Sequence, residues 1–299
     1  MLNRRLFLAL AGALPLRAAR FSKPIGINLY TVRDSLAKDA AGTYQALHAL
    51  GIRELEVRPN HLRDHGDLIR RNALKPVHMF IESAVITGDW EAGLAMQRAM
   101  AKQMNLPEPK ADGPRPTLAE MAALAKQFGI ERLGISYLLP AERPNAIGHI
   151  NRATEELAKH GLGFYYHNHA WEFDAGKGPR FLDRLRQESD PRVKLELDLF
   201  WATVGGDDPV TLLQTWKGRV ASLHMKDVAR DAPRQKTEMS IPRTAFKELG
   251  AGILDWPRLL AAASAGVGHY LIEQDYTEGD PLDSVRRSVA FLKQAEIPG

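Results

Sequence analysis

The sequence predicts a single-domain α/β fold, a (β/α)8 barrel, and three observations carry that expectation. Eight short apolar or β-branched runs recur along the chain, most are separated by stretches of helical periodicity, and several of those stretches end in glycine just before the next run. Eight is the count that a closed parallel barrel requires. With 299 residues, 44% hydrophobic and 25% charged, the chain is long and apolar enough for one large core.

In chain order, PIGINLY at 24–30 is read as the first strand and RELEV at 53–57 as the second, with DAAGTYQALHALG between them as a helix stopped by glycine. KPVHMF at 75–80 is the third strand and RLGISY at 132–137 the fourth. The connection 81–131 between them is long and holds PTLAEMAALAKQFG, a helix with its own glycine stop, after the Pro-rich piece LPEPKADGPRP. AIGHINRATEELAKHG leads into LGFYYHNH at 162–169, and VKLELDLF follows at 193–200. DPVTLLQTWKG precedes VASLHMKD at 220–227, and DWPRLLAAASAGVG precedes HYLIEQD at 269–275. The segment 228–252 is the second long connection, and both are expected to cross the catalytic face as loops or lids. Strand and helix alternating at this spacing favour a barrel over a sandwich or an all-helical fold. A doubly wound sheet is the alternative, but no glycine-rich phosphate turn follows the first strand. There is no internal repeat beyond this alternation and no second domain.

Residues 1–20 read differently from the barrel that spans 21–299. MLNRRLFLALAGALPLRAAR has a basic start, an apolar run from Leu6 to Leu16 too short to span a bilayer, and then small residues, which is the layout of a secretory signal. Arg4 and Arg5 before Leu6, Phe7 and Leu8 resemble the twin-arginine export signal, although Arg17 stands where the cleavage region expects a small residue. The expectation is a periplasmic protein with no stable membrane anchor; an N-terminal helix on the barrel floor, and a cytoplasmic protein, is the alternative. Removing residues 1–19 removes Arg4, Arg5 and Arg17, so the formal charge falls from +4 to +1 (4 − 3), and the basic pI does not indicate a nucleic-acid partner. There is no cysteine, which excludes disulfides and thiolate metal sites.

The strand ends carry the chemistry. In such a barrel they converge on the active site, and here they bear Glu56, His78, His167, His169, Asp198, His224, Lys226, Glu273 and Asp275. Alternate residues of a strand share a face, so His167 points with His169 and His224 with Lys226. Glu172 follows in the next loop. Imidazole and oxygen ligands from Glu172, Asp198, His224 and Glu273 would suit a divalent ion; the excess of carboxylate tilts toward Mn or Mg, with Zn or Co as alternatives. Glu196 is expected to pair with Lys194 or Lys226 inside the barrel. Trp201 and Trp171 are expected to wall the pocket, Tyr30, Glu56 and His78 to bind substrate hydroxyls or simply pack the lumen, and Lys23, Arg33 and Arg58 to lie on solvated surface.

YHNHAWEF, LELDLFW, SLHMKD, ELGAGILDW and LIEQD, in this order, resemble the sugar phosphate isomerase/epimerase-like family of xylose isomerase-type TIM barrels. The resemblance runs from about Ile25 to Leu292. It implies one divalent metal held between a glutamate after strand five, an aspartate after strand six, a histidine on strand seven and a glutamate on strand eight. By position the last three are Asp198, His224 and Glu273. The first departs from the pattern: His167 occupies the strand position where many members carry glutamate, and Glu172 lies five residues on. Either the loop folds Glu172 back to the metal, the favoured expectation, or His167 takes the position and becomes a ligand instead of a substrate contact.

The implied chemistry is proton removal next to a carbonyl of a small sugar, with the metal stabilising the enediolate. Glu172, Glu273 and His169 are the candidate bases, and Lys226 could neutralise developing oxyanion charge. Where the proton returns, or which group leaves, separates epimerase, isomerase and lyase or hydratase. Export favours an unphosphorylated sugar, keto-sugar or keto-glycoside. The leading expectation is a sugar isomerase or epimerase, with the keto-glycoside lyase as the alternative on the same site. An endonuclease IV-like phosphodiesterase would need a three-metal cluster, yet His48, His61, His65, His149 and His160 fall in helices or loops. A non-catalytic exported sugar-binding protein remains a third class, and the oligomeric state, a homo-oligomer included, is left open.

Overall fold

A computed structural model gives the fold and describes residues 19–103, 113, 115–176, 178–237, 240–263 and 266–297. The expected export signal, apart from Ala19 and Arg20, and most of LPEPKADGPRP lie outside the described residues. Eight strands close into one parallel barrel: β1 (Ile25–Asn28), β2 (Ile52–Val57), β3 (Lys75–Phe80), β4 (Arg132–Ile135), β5 (Gly163–His167), β6 (Lys194–Asp198), β7 (Val220–Met225) and β8 (His269–Ile272). Each pairs with its neighbours in sequence order, and β8 closes on β1. All eight expected strands are present, each within a few residues of the expected run.

The strand pattern sorts side chains by parity. Ile25, Ile27, Leu55, Val57, Leu133, Ile135, Phe164, Leu195, Leu197, Leu223, Tyr270 and Ile272 are buried together in the main apolar core, which the surrounding helices cover. Each such side chain is worth roughly 1.5–3 kcal/mol of transfer free energy. The alternate residues, among them Glu56, His78, Tyr165, His167, Glu196, Asp198, Ser222 and His224, are also buried and contact one another across the barrel. The lumen is therefore polar, where a purely structural barrel would fill it with branched apolar groups.

Two glycines show how local sequence sets this frame. The helix Ala40–Leu50 ends at Gly51, whose φ of 103 is left-handed, and its N–H closes the helix on the carbonyls of Leu47 and His48 immediately before β2. Gly134 on β4 leaves room for a neighbour: a Cβ there would lie 2.5 Å from Cζ of Tyr165. Only glycine lets the Tyr165 ring cross the lumen.

The two long connections are more ordered than plain loops. The first carries the helices Ala84–Thr87, Trp90–Gln103 and Leu118–Gln127. In the second, Phe246–Lys247 pairs antiparallel with Asp227–Val228, so a short ribbon stands beside the rim after β7. Asp227 fixes it: its carboxylate accepts from the N–H groups of Val228, Gly250 and Leu254 and from Trp256 Nε1 at 2.7–3.1 Å. That aspartate explains structurally why SLHMKD and ELGAGILDW occur together. At the opposite terminus Ala19–Arg20 pairs with Glu296–Ile297.

Candidate metal centre and active site

β5, β6, β7 and β8 deliver one ligand-type residue each to the carboxyl end of the lumen. Register sets Asp198 beside His224 and His167 beside Glu196. Asp198 also caps the helix Leu199–Gly205, with Oδ1 accepting from Trp201 N at 2.8 Å, and the cap aims Oδ2 back into the lumen. Asn168 clamps the same corner, accepting from Asp198 N at 3.0 Å.

The result is a buried quartet, His167, Asp198, His224 and Glu273, whose ligand-type atoms all lie within 4.8 Å of one another. His224 Nδ1 is 3.0 Å from Glu273 Oε2, and both His224 Nδ1 and His167 Nε2 are 3.9 Å from Asp198 Oδ2. Asp198 Oδ2 and His224 Nδ1 are sealed from solvent and have no aligned hydrogen-bond partner, despite the charged groups nearby. Two imidazoles and two carboxylates on one point, with buried polar atoms left unaligned, fit a divalent cation.

Three of the expected ligands are thus brought together, and the fourth differs. Glu172 is buried, but its loop does not fold it back to the quartet. Tyr166 Oη donates to Oε1 at 2.6 Å and the His169 N–H donates to Oε2 at 3.0 Å. Both carboxylate oxygens are engaged within its own segment, and His167 stands in the quartet instead.

Lys226 is fully buried above the quartet. Its ammonium donates to Glu273, to Asp275 Oδ2 at 2.7 Å, and lies 2.9 Å from Asp198 Oδ2. Burial opposes its charge, but Asp198, Asp275 and Glu273 outweigh it and hold the amine well above its usual range. Burial also opposes charge on His224, yet Glu196, Glu273 and Glu56 hold its imidazole well above 6.5. His167 is held well below 6.5 by burial and then by His224 and His169, so it is neutral, the form that ligates a metal. Burial would raise Glu273, but His224 and Lys226 keep it well below the carboxylate range, whereas burial pushes Asp198 up to about 7.

Below the quartet lies a second layer. Glu56 accepts from Asn28 Nδ2, Tyr165 Oη and His224 Nε2, each at 2.6 Å. His78 stacks on Tyr165 with ring centroids 4.4 Å apart, and its Nδ1 is 3.3 Å from Glu196 Oε1. Glu56 and His78, expected to meet substrate hydroxyls, face the lumen beneath the quartet. Glu196 pairs with neither expected lysine: Lys194 Nζ donates to the Gly218 carbonyl, while Glu196 accepts from Ser222 Oγ at 2.7 Å. The parity of β2, β3 and β6 was readable in the sequence. Tyr165 and Asn28 were missed because an aromatic and an amide carry no charge signal.

At the rim, Trp201 is buried against the His169 ring, with centroids 5.4 Å apart, and joins Phe200 and Phe246 in a small apolar wall. Tyr30 is 41% exposed with Arg33 stacked 4.0 Å over its ring. Arg33, expected to be solvated, is half-buried and donates to the carbonyls of Tyr30 and Asp275. A cleft of about 870 Å³ runs beside them past Thr31 and Asp280 and reaches the site only at Asp275.

A closed parallel barrel with a buried imidazole and carboxylate quartet at its carboxyl rim defines the class: a (β/α)8 barrel with a metal-type centre. The chain belongs to the xylose isomerase-like TIM barrel family, whose description matches residues 97–295. It is 29% identical over 178 residues to an inosose dehydratase of Geobacillus kaustophilus, covering 56% of this chain and 54% of that one. The chain thus spans about half the length of the curated relatives it matches. A sugar phosphate isomerase/epimerase from Parabacteroides distasonis superposes with TM-score 0.70 at 18% identity, covering 91% of this chain and 94% of that one. The probable 3-DHS dehydratase AsbF from Bacillus anthracis gives 0.65 at 14%, covering 91% and 99%. A Mycobacterium smegmatis xylose isomerase-like TIM barrel protein in complex with magnesium gives 0.61 at 14%, covering 91% and 96%.

Proposed function

We propose that the protein is a divalent-metal-dependent enzyme that removes the proton next to a carbonyl of an unphosphorylated keto-sugar, keto-glycoside or cyclic polyol ketone, and then expels the β-hydroxyl or other β-substituent. The observation that carries this is the buried quartet of His167, Asp198, His224 and Glu273 beneath Lys226. His167, Asp198, His224 and Glu273 would hold the cation, Mn or Mg by the carboxylates with Zn or Co also acceptable to the imidazoles, and it would supply the positive charge that polarises the carbonyl and stabilises the negative charge developing next to it. The magnesium complex among the fold neighbours is consistent with such a cation.

The chain's own groups supply the rest. Lys226, fixed by three carboxylates, holds a positive charge against the developing oxyanion. Glu172 grips the His169 N–H and so sets the rim where the His169 ring faces Trp201. His169 takes the α-proton in this reading, and Glu172 positions it. An epimerase would need a second base on the opposite face of the carbon, a role for which Glu172 is poorly placed with both oxygens engaged. Elimination needs only one base, because the proton that His169 takes from carbon can be handed to the leaving oxygen, so a hydroxyl departs as water and His169 returns to its starting state. The dehydratase names among the relatives support elimination over the isomerase or epimerase outcome.

Mn-loaded protein should convert an inosose or a keto-sugar into a product lighter by one water. A product of unchanged mass carrying solvent deuterium would replace elimination by isomerisation or epimerisation. Finding neither a product lighter by one water nor deuterium in any compound would sink the α-proton chemistry itself. We further propose that residues 1–20 export the barrel to the periplasm. Replacing Arg4 and Arg5 with lysine should then leave the protein in the cytoplasmic fraction, and unchanged fractionation would refute export through this pair.

A further inference from the structure

Beneath the quartet, Glu56 and Glu196 have no role in the reaction proposed above, yet both are completely buried and both point at the quartet's imidazoles. Glu56 Oε2 is 2.6 Å from His224 Nε2, and Glu196 Oε2 is 3.2 Å from the same nitrogen. Glu196 Oε2 also lies 3.5 Å from His167 Nδ1, and these two atoms are both sealed from solvent without a partner. In each ring the opposite nitrogen faces Asp198 Oδ2, and for His224 it also faces Glu273.

We propose that Glu56 and Glu196 are positioning residues that select which nitrogen each histidine presents to the cation: Nδ1 of His224 and Nε2 of His167. The proposal rests on the metal reading of the quartet. A neutral imidazole has one donor and one acceptor nitrogen, and a buried carboxyl oxygen that accepts from one of them fixes the proton there and leaves the other lone pair for the metal. For Glu196, which burial and Glu56 hold above the carboxylate range, that accepting oxygen is the unpartnered Oε2. The two histidines come from different strands and enter the site from different directions, so each needs the opposite tautomer. A carboxylate beneath each ring specifies that choice.

The same lower layer, Glu56, Glu196 and His78, could be taken for a second cation site. Hydrogen bonding favours the positioning role. Glu56 already accepts three donors at 2.6 Å, from Asn28, Tyr165 and His224, and a cation there would have to displace them. The Glu196 oxygen that lacks a partner is the one aimed at the imidazoles, while its other oxygen is held by Ser222.

Long-range 15N–1H NMR of histidine-labelled, Zn-loaded protein, with metal content and competition titrations alongside, tests this. His224 should be ligated through Nδ1 with its Nε2 proton retained, and His167 through Nε2 with its Nδ1 proton retained. Glu56→Gln and Glu196→Gln should each weaken cation affinity by about ten- to a hundredfold, with part recovered in Glu56→Asp. The wild-type tautomers decide the matter even if a variant fails to fold. Ligation through the other nitrogens, affinities unchanged in both variants, or two cations per chain would each overturn the positioning role while leaving a metal enzyme in place. Absence of any bound cation would remove the metal reading, and this inference with it.

Discussion

At the scale of single residues, the site is a problem of charge kept in a small dry volume. Lys226 is completely buried among Glu273, Asp275 and Asp198, so removing its ammonium leaves the buried Asp198 and Glu273 with only the His224 imidazole as a nearby counter-charge. Lys226→Met should cost about 3–5 kcal/mol of stability in chelator, measured by denaturant titration, and added cation should restore much of it. A loss below about 1 kcal/mol would mean that the carboxylates are neutral in the folded protein. Asp198 adds a pH dependence. Burial raises its pKa to about 7, so the cation-free carboxyl holds a proton below that pH, and an incoming cation must displace it. Affinity should therefore fall as pH drops through about 7, on top of the dependence at higher pH that comes from His224, which must also release a proton to the cation. A titration from pH 8 to 5.5 in which affinity does not fall would contradict this. His169, half-buried at the rim, is the base of the proposed reaction and lies outside the quartet. His169→Gln should lower turnover about 10²- to 10⁴-fold while leaving cation affinity within about twofold. Turnover near wild type would send the search for the base to another group.

At the scale of elements, each strand places its chemistry through a few local decisions. Gly134 is one, because its missing Cβ lets Tyr165 cross the lumen and donate to Glu56. Gly134→Ala should be overpacked and cost about 1–3 kcal/mol, with cation affinity falling in parallel as Tyr165 is pushed off Glu56. Asp227 is another, since one carboxylate receives four donors and holds the ribbon after β7. The eight strands were legible in the sequence because β-branched runs and glycine-stopped helices are short-range signals, and the polar lumen was legible from parity alone. The ribbon was not. Nothing in 228–252 alternates over more than a few residues, and its order comes from Asp227, a contact made across a turn. Glu172 was misplaced for a related reason. Spacing puts it near the rim, but its direction is set by Tyr166 and the His169 N–H, which only a folded loop brings together.

At the scale of the whole molecule, barrel closure gathers four strands that are distant in sequence, and the charge they carry makes the site part of the fold's energetics. Glu56, Glu196, Asp198 and Glu273 share the lumen with Lys226 and three histidines, all nearly or completely buried. Burial followed by repulsion from Glu56 pushes Glu196 well above the carboxylate range, a cost borne by the cation-free barrel. Three members of the quartet could be read from the sequence because carboxylates and imidazoles at strand ends stand out against apolar runs. The fourth could not, because the choice between His167 and Glu172 is made by closure itself, which sets His167 beside Glu196 and within 3.9 Å of Asp198. A cation bound to groups from β5 through β8 ties together elements that unfolding separates, so binding should be felt globally. At a free concentration of one hundred times Kd the ion should add about 2.7 kcal/mol to unfolding, and each further tenfold about 1.4 kcal/mol. Thermal melts across a Mn titration, run beside Asp198→Asn and Glu273→Gln, measure this: the wild type should rise in steps set by Kd, and both variants should stay flat. If the variants rose with the wild type, the stabilising cation would be binding elsewhere, and the rim of the barrel would not be the metal centre.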